Sequence, residues 1–293
     1  MTQTQLFFVL KRLQGTKKYC KIKVMKDLHI HTKNSDGEFD EEQILELIKK
    51  AGLTEFAICD HDTILGSQKV FELLKKQNSN LIFHTGIELT CKLHSFKNGV
   101  KMHILFYDFD FNCPALQKVI TKISELRETR IEQMVKFIQQ ELKITIPQKM
   151  ISDELKQTNS FGKPHLFNII SKLCDCSRQT FFKIMDKLDS SEFKLDAEET
   201  IQTLSPFGII GIAHPVEIMK EYNFGINDIE EIILHLKKFG LNALETHHSA
   251  HTKQLQAQLT TLAQKHGLLE TMGSDFHGPE SKPDVVLGQI KKE

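Results

Sequence analysis

Short apolar runs alternate with amphipathic stretches along most of the chain, and the rhythm breaks once, in the middle. Seven β-like segments stand out, at 24–31, 55–60, 81–90, 101–108, 208–213, 241–246 and 268–274. Each has the short apolar run of a strand buried in a sheet. Between the first two, a helical pattern over 40–51 closes at Ala51-Gly52, where glycine suits the end of a helix. A second helix is predicted near 65–77. Strands alternating with helices predict a parallel α/β sheet, and seven at this spacing predict a barrel. From 112 to 204 the character changes. Leu116, Val119, Ile120, Ile123, Leu126, Met134, Ile138 and Leu142 recur at helical spacing, and no convincing strand interrupts them. An α/β barrel of residues 25–111 and 205–293, carrying a helical insertion at 112–204, is therefore expected.

Residues 1–24 carry six Lys or Arg and no acid, lack periodicity, and are expected to form a disordered basic leader. Met25, directly before the first segment, is an alternative start. The apolar run Leu6–Leu10 is too short for a signal-peptide core or a membrane span, so a cytoplasmic location away from membranes is expected. Lys+Arg and Asp+Glu balance at 38 each, which excludes a global basic field for long nucleic acids but not a local pocket for a small anion. The six cysteines (20, 59, 91, 113, 174 and 176) form no CxxC pair and are read as buried, reduced thiols. Fourteen histidines, beside three tyrosines and no tryptophan, point towards a metal enzyme. No obligate protein partner is evident.

The stretch "DLHIHTKNSDGEF" sharpens that expectation. Residues two apart on a strand share a face, so Asp27, His29 and His31 lie on one side while Leu28 and Ile30 face the core. Other polar residues stand where apolar runs stop or start: His61, Glu88, His103, His214, Asp275 and His277. At the mouth of an α/β barrel such positions converge. Any one of them is more often a cap or a satisfied polar group than a ligand, but six strand ends offering N or O donors are poorly explained that way. Imidazole with carboxylate suits Mn, Zn or Fe(II) better than Cu(I) or Ca.

In order, "DLHIHTKNSDG", "DHDTILG", "GIELT", "MHILFY", "AHP" and "GSDFHG" resemble the motifs of the PHP (polymerase and histidinol phosphatase) superfamily. The branch containing RNase AM, or nucleoside 3′,5′-bisphosphate phosphatase, is the most similar. The resemblance runs from Met25 to Gly288. It implies a distorted seven-stranded (β/α)7 barrel holding three divalent ions per chain, with manganese favoured and zinc or iron as alternatives. Carried over, His29, His31, Glu88 and Asp275 would bind one ion, and Asp36, His61 and His277 a second. His103 and His214 would bind a third, with Glu88 bridging. Asp27 and Asp62 are expected to orient imidazoles. Of His247 and His248, adjacent on a strand, both cannot enter one site; His251 falls near the pocket in the branch. His84, His94, His235 and His266 are read as structural or solvent-facing.

Substrate contacts are expected from the insertion. "RETR" puts Arg127 and Arg130 one helical turn apart, although a charged helical face is most often simply solvated. In "GKPHLFNII", Pro164 suits a helix start, where free N–H groups attract phosphate, and Lys163 and His165 flank it. The resembling branch has Arg where this chain has Lys163, which removes a bidentate fork. The implied activity is metal-dependent hydrolysis of phosphate monoesters on small nucleotides, or at the 5′ end of short RNA, by water activated at the metals rather than by a covalent side-chain nucleophile. A histidinol-phosphate or sugar-phosphate phosphatase, and a metal-stabilised binding module without turnover, are the alternatives.

Overall fold

In a computed structural model the described residues are 25–155, 161–188 and 193–290, so the expected leader at 1–24 lies outside them. The strands are β1 (Lys26–Ile30), β2 (Glu55–Ile58), β3 (Ile82–Leu93), β4 (Val100–Tyr107), β5 (Leu195–Asp196), β6 (Ile209–Ile212), β7 (Ala243–His248) and β8 (Leu269–Gly273). Seven of them form one sheet in the order β1-β2-β3-β4-β6-β7-β8, with β5 beside β3. Backbone bonds from His31 N–H to Phe276 O and from Asp275 N–H to His29 O, both 2.9 Å, join the two ends into a barrel.

All seven expected strands are present, but the sheet is not wholly parallel. β4 runs antiparallel to both β3 and β6. Its amino-terminal part therefore lies at the mouth where the other strands end, which is why His103 sits near the start of its strand and the other ligand candidates near the ends of theirs. The short strand β5, within the helix-rich stretch where no convincing strand was expected, is a second departure.

Capping follows from local sequence. Helix α1 (Glu41–Ala51) starts on a capping box in which Asp40 accepts from the Gln43 N–H and the Gln43 side chain returns to Asp40; it ends on Gly52 at φ 72°. Helix α2 (Leu65–Gln77) follows β2. Helix α3 (Pro114–Leu142) is about 43 Å long at 1.5 Å per residue. Its first half packs Leu116, Val119 and Ile123 on the barrel core. Its second half packs Ile131, Met134 and Ile138 into a separate cluster with α4 (Gln148–Leu155), α5 (Lys163–Ile170) and α6 (Arg178–Met185). Helices α7 (Ala197–Leu204), α8 (Pro215–Tyr222), α9 (Ile226–Lys237) and α10 (Lys253–His266) complete the fold.

Below the mouth, Ala57, Cys59, Leu105, Tyr107 and Ala213 fill the barrel interior. Cys59, Cys91 and Cys113 are buried free thiols, whereas Cys174 and Cys176 are only half-buried, because α5 and α6 lie at the surface of the smaller cluster. Cys20 lies outside the described residues. No helix of the described residues is long and apolar enough to cross a membrane.

Candidate metal centre

The site is built around one carboxylate. Glu88 is fully buried on β3, and five imidazoles surround it. Its Oε2 lies 3.1 Å from His29 Nε2, 3.2 Å from His31 Nε2 and 3.2 Å from His61 Nδ1. Its Oε1 lies 3.0 Å from His103 Nδ1 and 2.8 Å from His214 Nε2. Asp275 supplies a second buried carboxylate, with Oδ1 3.3 Å from His31 Nε2 and 3.4 Å from His277 Nδ1. Asp36, on the turn after β1, faces His277 Nε2 at 3.2 Å, His31 Nδ1 at 3.5 Å and His61 Nε2 at 3.7 Å.

The nine residues expected as ligands thus come together, in overlapping groups of donor atoms each within 4.8 Å of one another. One group is His29, His31, Glu88 and Asp275, and another His31, Asp36, His61 and His277. A third joins His61, Glu88 and His103; a fourth joins His103 and His214 to Glu217, which the sequence did not single out.

The hydrogen bonds fix what these nitrogens can do. His29 Nδ1 faces Glu245 Oε1 at 3.0 Å and donates to it, so a neutral His29 turns a lone pair at Nε2 towards Glu88. His277 Nδ1 donates to the Asp275 carbonyl at 2.9 Å, so its Nε2 lone pair faces Asp36. Lone pairs meeting carboxylate oxygens at about 3 Å repel unless a cation lies between them. Buried His31 Nε2, His61 Nδ1 and His214 Nδ1 have no hydrogen-bond partner at all. The donor set fits divalent cations.

Charge behaviour agrees. Burial alone would raise the Glu88 pKa, but the surrounding imidazoles hold it well below the ordinary carboxylate range. Burial disfavours charged His31, yet the Asp275 and Glu88 carboxylates beside it lift it to about 9; Glu88 lifts His214 likewise, to about 9, against its burial. Burial pushes His61 down to about 3, with Glu88 opposing and His31 and His103 adding to the fall.

The backbone is shaped to present these groups. His214, Asp275 and Asp62 stand at strand ends with φ of 24°, 61° and 55°, a left-handed region costly for side-chain-bearing residues. Gly273 passes so close to His29 that a Cβ there would lie 2.1 Å from the His29 Cβ.

Two expectations need correction. Asp27 and Asp62 do not hold imidazoles; both accept from backbone. Asp27 takes the N–H groups of Ser274 at 2.9 Å and Gly288 at 2.8 Å, bracing the loop that carries Asp275. Asp62 takes Thr90 N–H at 2.8 Å. Their short side chains reach only the adjacent strand or loop. The orienting role falls to Glu245 on β7, which also accepts the His214 N–H at 2.6 Å. Asp60, likewise not singled out, holds the Thr32–Ser35 turn through Thr32 N–H at 2.7 Å and Ser35 Oγ at 2.8 Å.

A register shift in β7 between Glu245 and His247 turns His248, not His247, towards Asp275, at 3.3 Å. His251 is buried against His248, with ring centroids 5.3 Å apart. His84, His235 and His266 are each paired with carboxylates away from the centre.

Of the expected substrate residues, Arg127 and Arg130 are half-buried on α3. Lys163 and His165 open α5, but the Lys163 ammonium is paired with Asp186 at 2.7 Å, and His165 Nδ1 accepts the Gly162 N–H at 3.1 Å. Lys282 also reaches the Asp275 carboxylate.

Known proteins resemble this chain over nearly its whole length. The chain is 26% identical over 270 residues to a 5′-3′ exoribonuclease of Haemophilus influenzae, covering 90% of this chain and 91% of the relative. It is 25% identical over 264 residues to a phosphoribosyl 1,2-cyclic phosphate 1,2-diphosphodiesterase of Eggerthella lenta, covering 87% and 95%. A solved structure from Bifidobacterium adolescentis, classed by prediction as a metal-dependent phosphoesterase, superposes with a TM-score of 0.65 at 24% identity, covering 90% and 91%. The PHP domain model matches residues 27–247, most of the length, and the chain belongs to the PHP domain family.

Proposed function

We propose that this metal-dependent phosphoesterase hydrolyses phosphate esters of small nucleotides, such as a nucleoside 3′,5′-bisphosphate or 5′-monophosphate, or acts at the 5′ end of short RNA. The observation that carries the reading is the buried Glu88 carboxylate with five imidazoles around it, a donor set that suits divalent cations. His29, His31, Glu88 and Asp275 would hold one divalent ion, and Asp36, His61 and His277 a second. His103 and His214 would hold a third, sharing Glu88. When bound, such ions neutralise charge on phosphate oxygens and make water a competent nucleophile at neutral pH.

The chain's own residues do the rest. Glu245 fixes the tautomer and angle of His29, while Asp27 and Asp60 hold the loops carrying Asp275 and Asp36. The cluster is closed on its inner side, where His29, His31, Glu88, His214, Asp275 and His277 are buried. It is open where Asp36, His61 and His103 have side chains 54%, 26% and 28% exposed, so the ester enters from that side. Arg127 and Arg130, with Lys163 and His165, would grip its phosphate as charge-bearing donors. The relatives' names, an exoribonuclease and a cyclic phosphodiesterase, support phosphate-ester chemistry on nucleotide-like substrates.

The test is a panel of esters with purified chain and Mn²⁺: adenosine 3′,5′-bisphosphate, adenosine 5′-monophosphate, 5′-phosphorylated short RNA and histidinol phosphate. Release of phosphate or nucleotide from the first three is expected. Turnover of histidinol phosphate alone would move the reading to a sugar-phosphate-type phosphatase, and no turnover with any divalent metal would sink it.

A further inference from the structure

His214 has one ring nitrogen accounted for and one open. Its Nε2 lies 2.8 Å from Glu88 Oε1 and 3.3 Å from His103 Nδ1, so both rings point a nitrogen at the same carboxylate oxygen. For Nε2 to turn a lone pair there, a neutral ring must carry its proton on Nδ1. His29 and His277 have that choice made for them, by Glu245 and by the Asp275 carbonyl. His214 Nδ1 is buried and has no hydrogen-bond partner. A buried N–H without an acceptor is unfavourable, which favours the other tautomer. In that form Nε2–H donates to Glu88 and offers no lone pair to an ion.

The carboxylate placed to decide between them is Glu217, whose Oε2 lies 3.3 Å from His214 Nδ1. Helix α8 starts at Pro215, directly after His214, and residues three apart share a helix face, which brings Glu217 back beside the His214 ring. A Glu at this third helical position ordinarily reaches back to the backbone N–H of the residue that caps the helix. Here that N–H belongs to His214 and is taken by Glu245 at 2.6 Å. Glu217 is relieved of that task and faces the ring instead. Its oxygen stands within hydrogen-bond distance of Nδ1 but off the line of an N–H bond there. The side chain is 51% exposed and so has room to turn onto that line. Among the described residues, no donor group that contains Asp275 or Asp36 includes Glu217.

We propose that Glu217 is a positioning residue of the metal centre: it accepts the His214 Nδ1–H and so fixes the tautomer that leaves Nε2 open to the ion shared with His103 and Glu88. It does for His214 what Glu245 does for His29, but from the solvent side. The inference rests on the metal-dependent reading above and deepens it, because one ion of the centre gains a control that the others lack. Loss of the Glu217 carboxylate should loosen that ion and spare those held by Asp275 and Asp36.

The experiment titrates Zn²⁺ into the full-length chain, first stripped of metal, in competition with a chromophoric chelator, for wild type, E217A and E217Q. E217A should weaken one ion about tenfold or more and leave the others within about threefold of wild type. E217Q, whose amide oxygen still accepts one hydrogen bond without the charge, should stay within about threefold for every ion. E217Q as weak as E217A would make Glu217 a source of charge only and overturn the positioning role. So would E217A equal to wild type, or a loss spread evenly over all the ions. A second measurement needs no variant to fold. In Zn²⁺-loaded wild type carrying ¹⁵N-histidine, the His214 ring should be the Nδ1–H form, with that proton slow to exchange with water. An Nε2–H form, or a rapidly exchanging Nδ1 proton, would overturn the role. Ester turnover by a chain whose E217A variant keeps every ion sinks the role of Glu217 alone. Selective loss of one ion from a chain that hydrolyses no ester supports that role and sinks only the phosphoesterase reading.

Discussion

Glu245→Gln exchanges one oxygen for an NH₂ and should disable the corner of the candidate metal centre that holds His29 and His214. The wild-type carboxylate accepts twice, from His29 Nδ1–H at 3.0 Å and from the His214 N–H at 2.6 Å. An amide can accept at only one of those ends. If its oxygen faces His214, its NH₂ faces His29 Nδ1, which must surrender its proton. The proton then moves to Nε2, the nitrogen facing Glu88, and blocks it as a ligand. If its oxygen faces His29, two donors confront each other at His214 in a fully buried place. Either way one charge-assisted bond is lost, at about 1.5–3 kcal/mol. Metal affinity should therefore fall about ten- to hundredfold, the usual scale for a residue that orients a ligand. Competition of Mn²⁺ or Zn²⁺ between the protein and a chromophoric chelator reads this directly. As a second reading, a hundredfold weaker site removes up to about 2.7 kcal/mol of metal-induced stabilisation. Metal affinity of E245Q within about threefold of wild type would refute the tautomer argument.

Three further outcomes are expected. His29→Ala and Asp275→Ala should each lose turnover and bound metal while keeping the circular dichroism of the folded chain; full metal content with near wild-type rates in either would remove that residue from the ligand set. His84 is lifted to about 9, its burial outweighed by hydrogen bonds to Asp108 and Glu55, so its contribution is complete below about pH 6.5 and is lost as pH rises through 9. Screening at the half-exposed Asp108 brings that contribution to about 1–2 kcal/mol, so His84→Gln should destabilise at pH 6 and not at pH 10 in urea melts; equal destabilisation at both would contradict it. Lys163→Ala should lower kcat/KM by about 1.5–3 kcal/mol without changing metal content, and unaltered turnover of every ester would leave Lys163 as no more than the partner of Asp186.

The strands were legible because each carries an apolar run long enough to be seen, and the helices because Asp40 and Gly52, for instance, cap α1 by local chemistry. Strand direction was not. Periodicity is the same for a strand read either way, so nothing in "KMHILFY" says that β4 runs against both neighbours. β5 was invisible for another reason. Two residues have no period, and Leu195–Asp196 become a strand only because the chain returns from the insertion beside Cys91 and Lys92.

The centre divides along the same line. His29, His31, His61, His214 and Asp275 announce themselves as polar residues where apolar runs stop, a signal each strand carries by itself. Glu245 gives no such signal. It lies inside "ALETHH", and its function appears only when β7 is placed across from His29 and beside His214. The candidate ligands are local because a strand end can present an imidazole without help. Glu245 stands on a different strand from both His29 and the His214 backbone it holds, so only the closed barrel brings the three together.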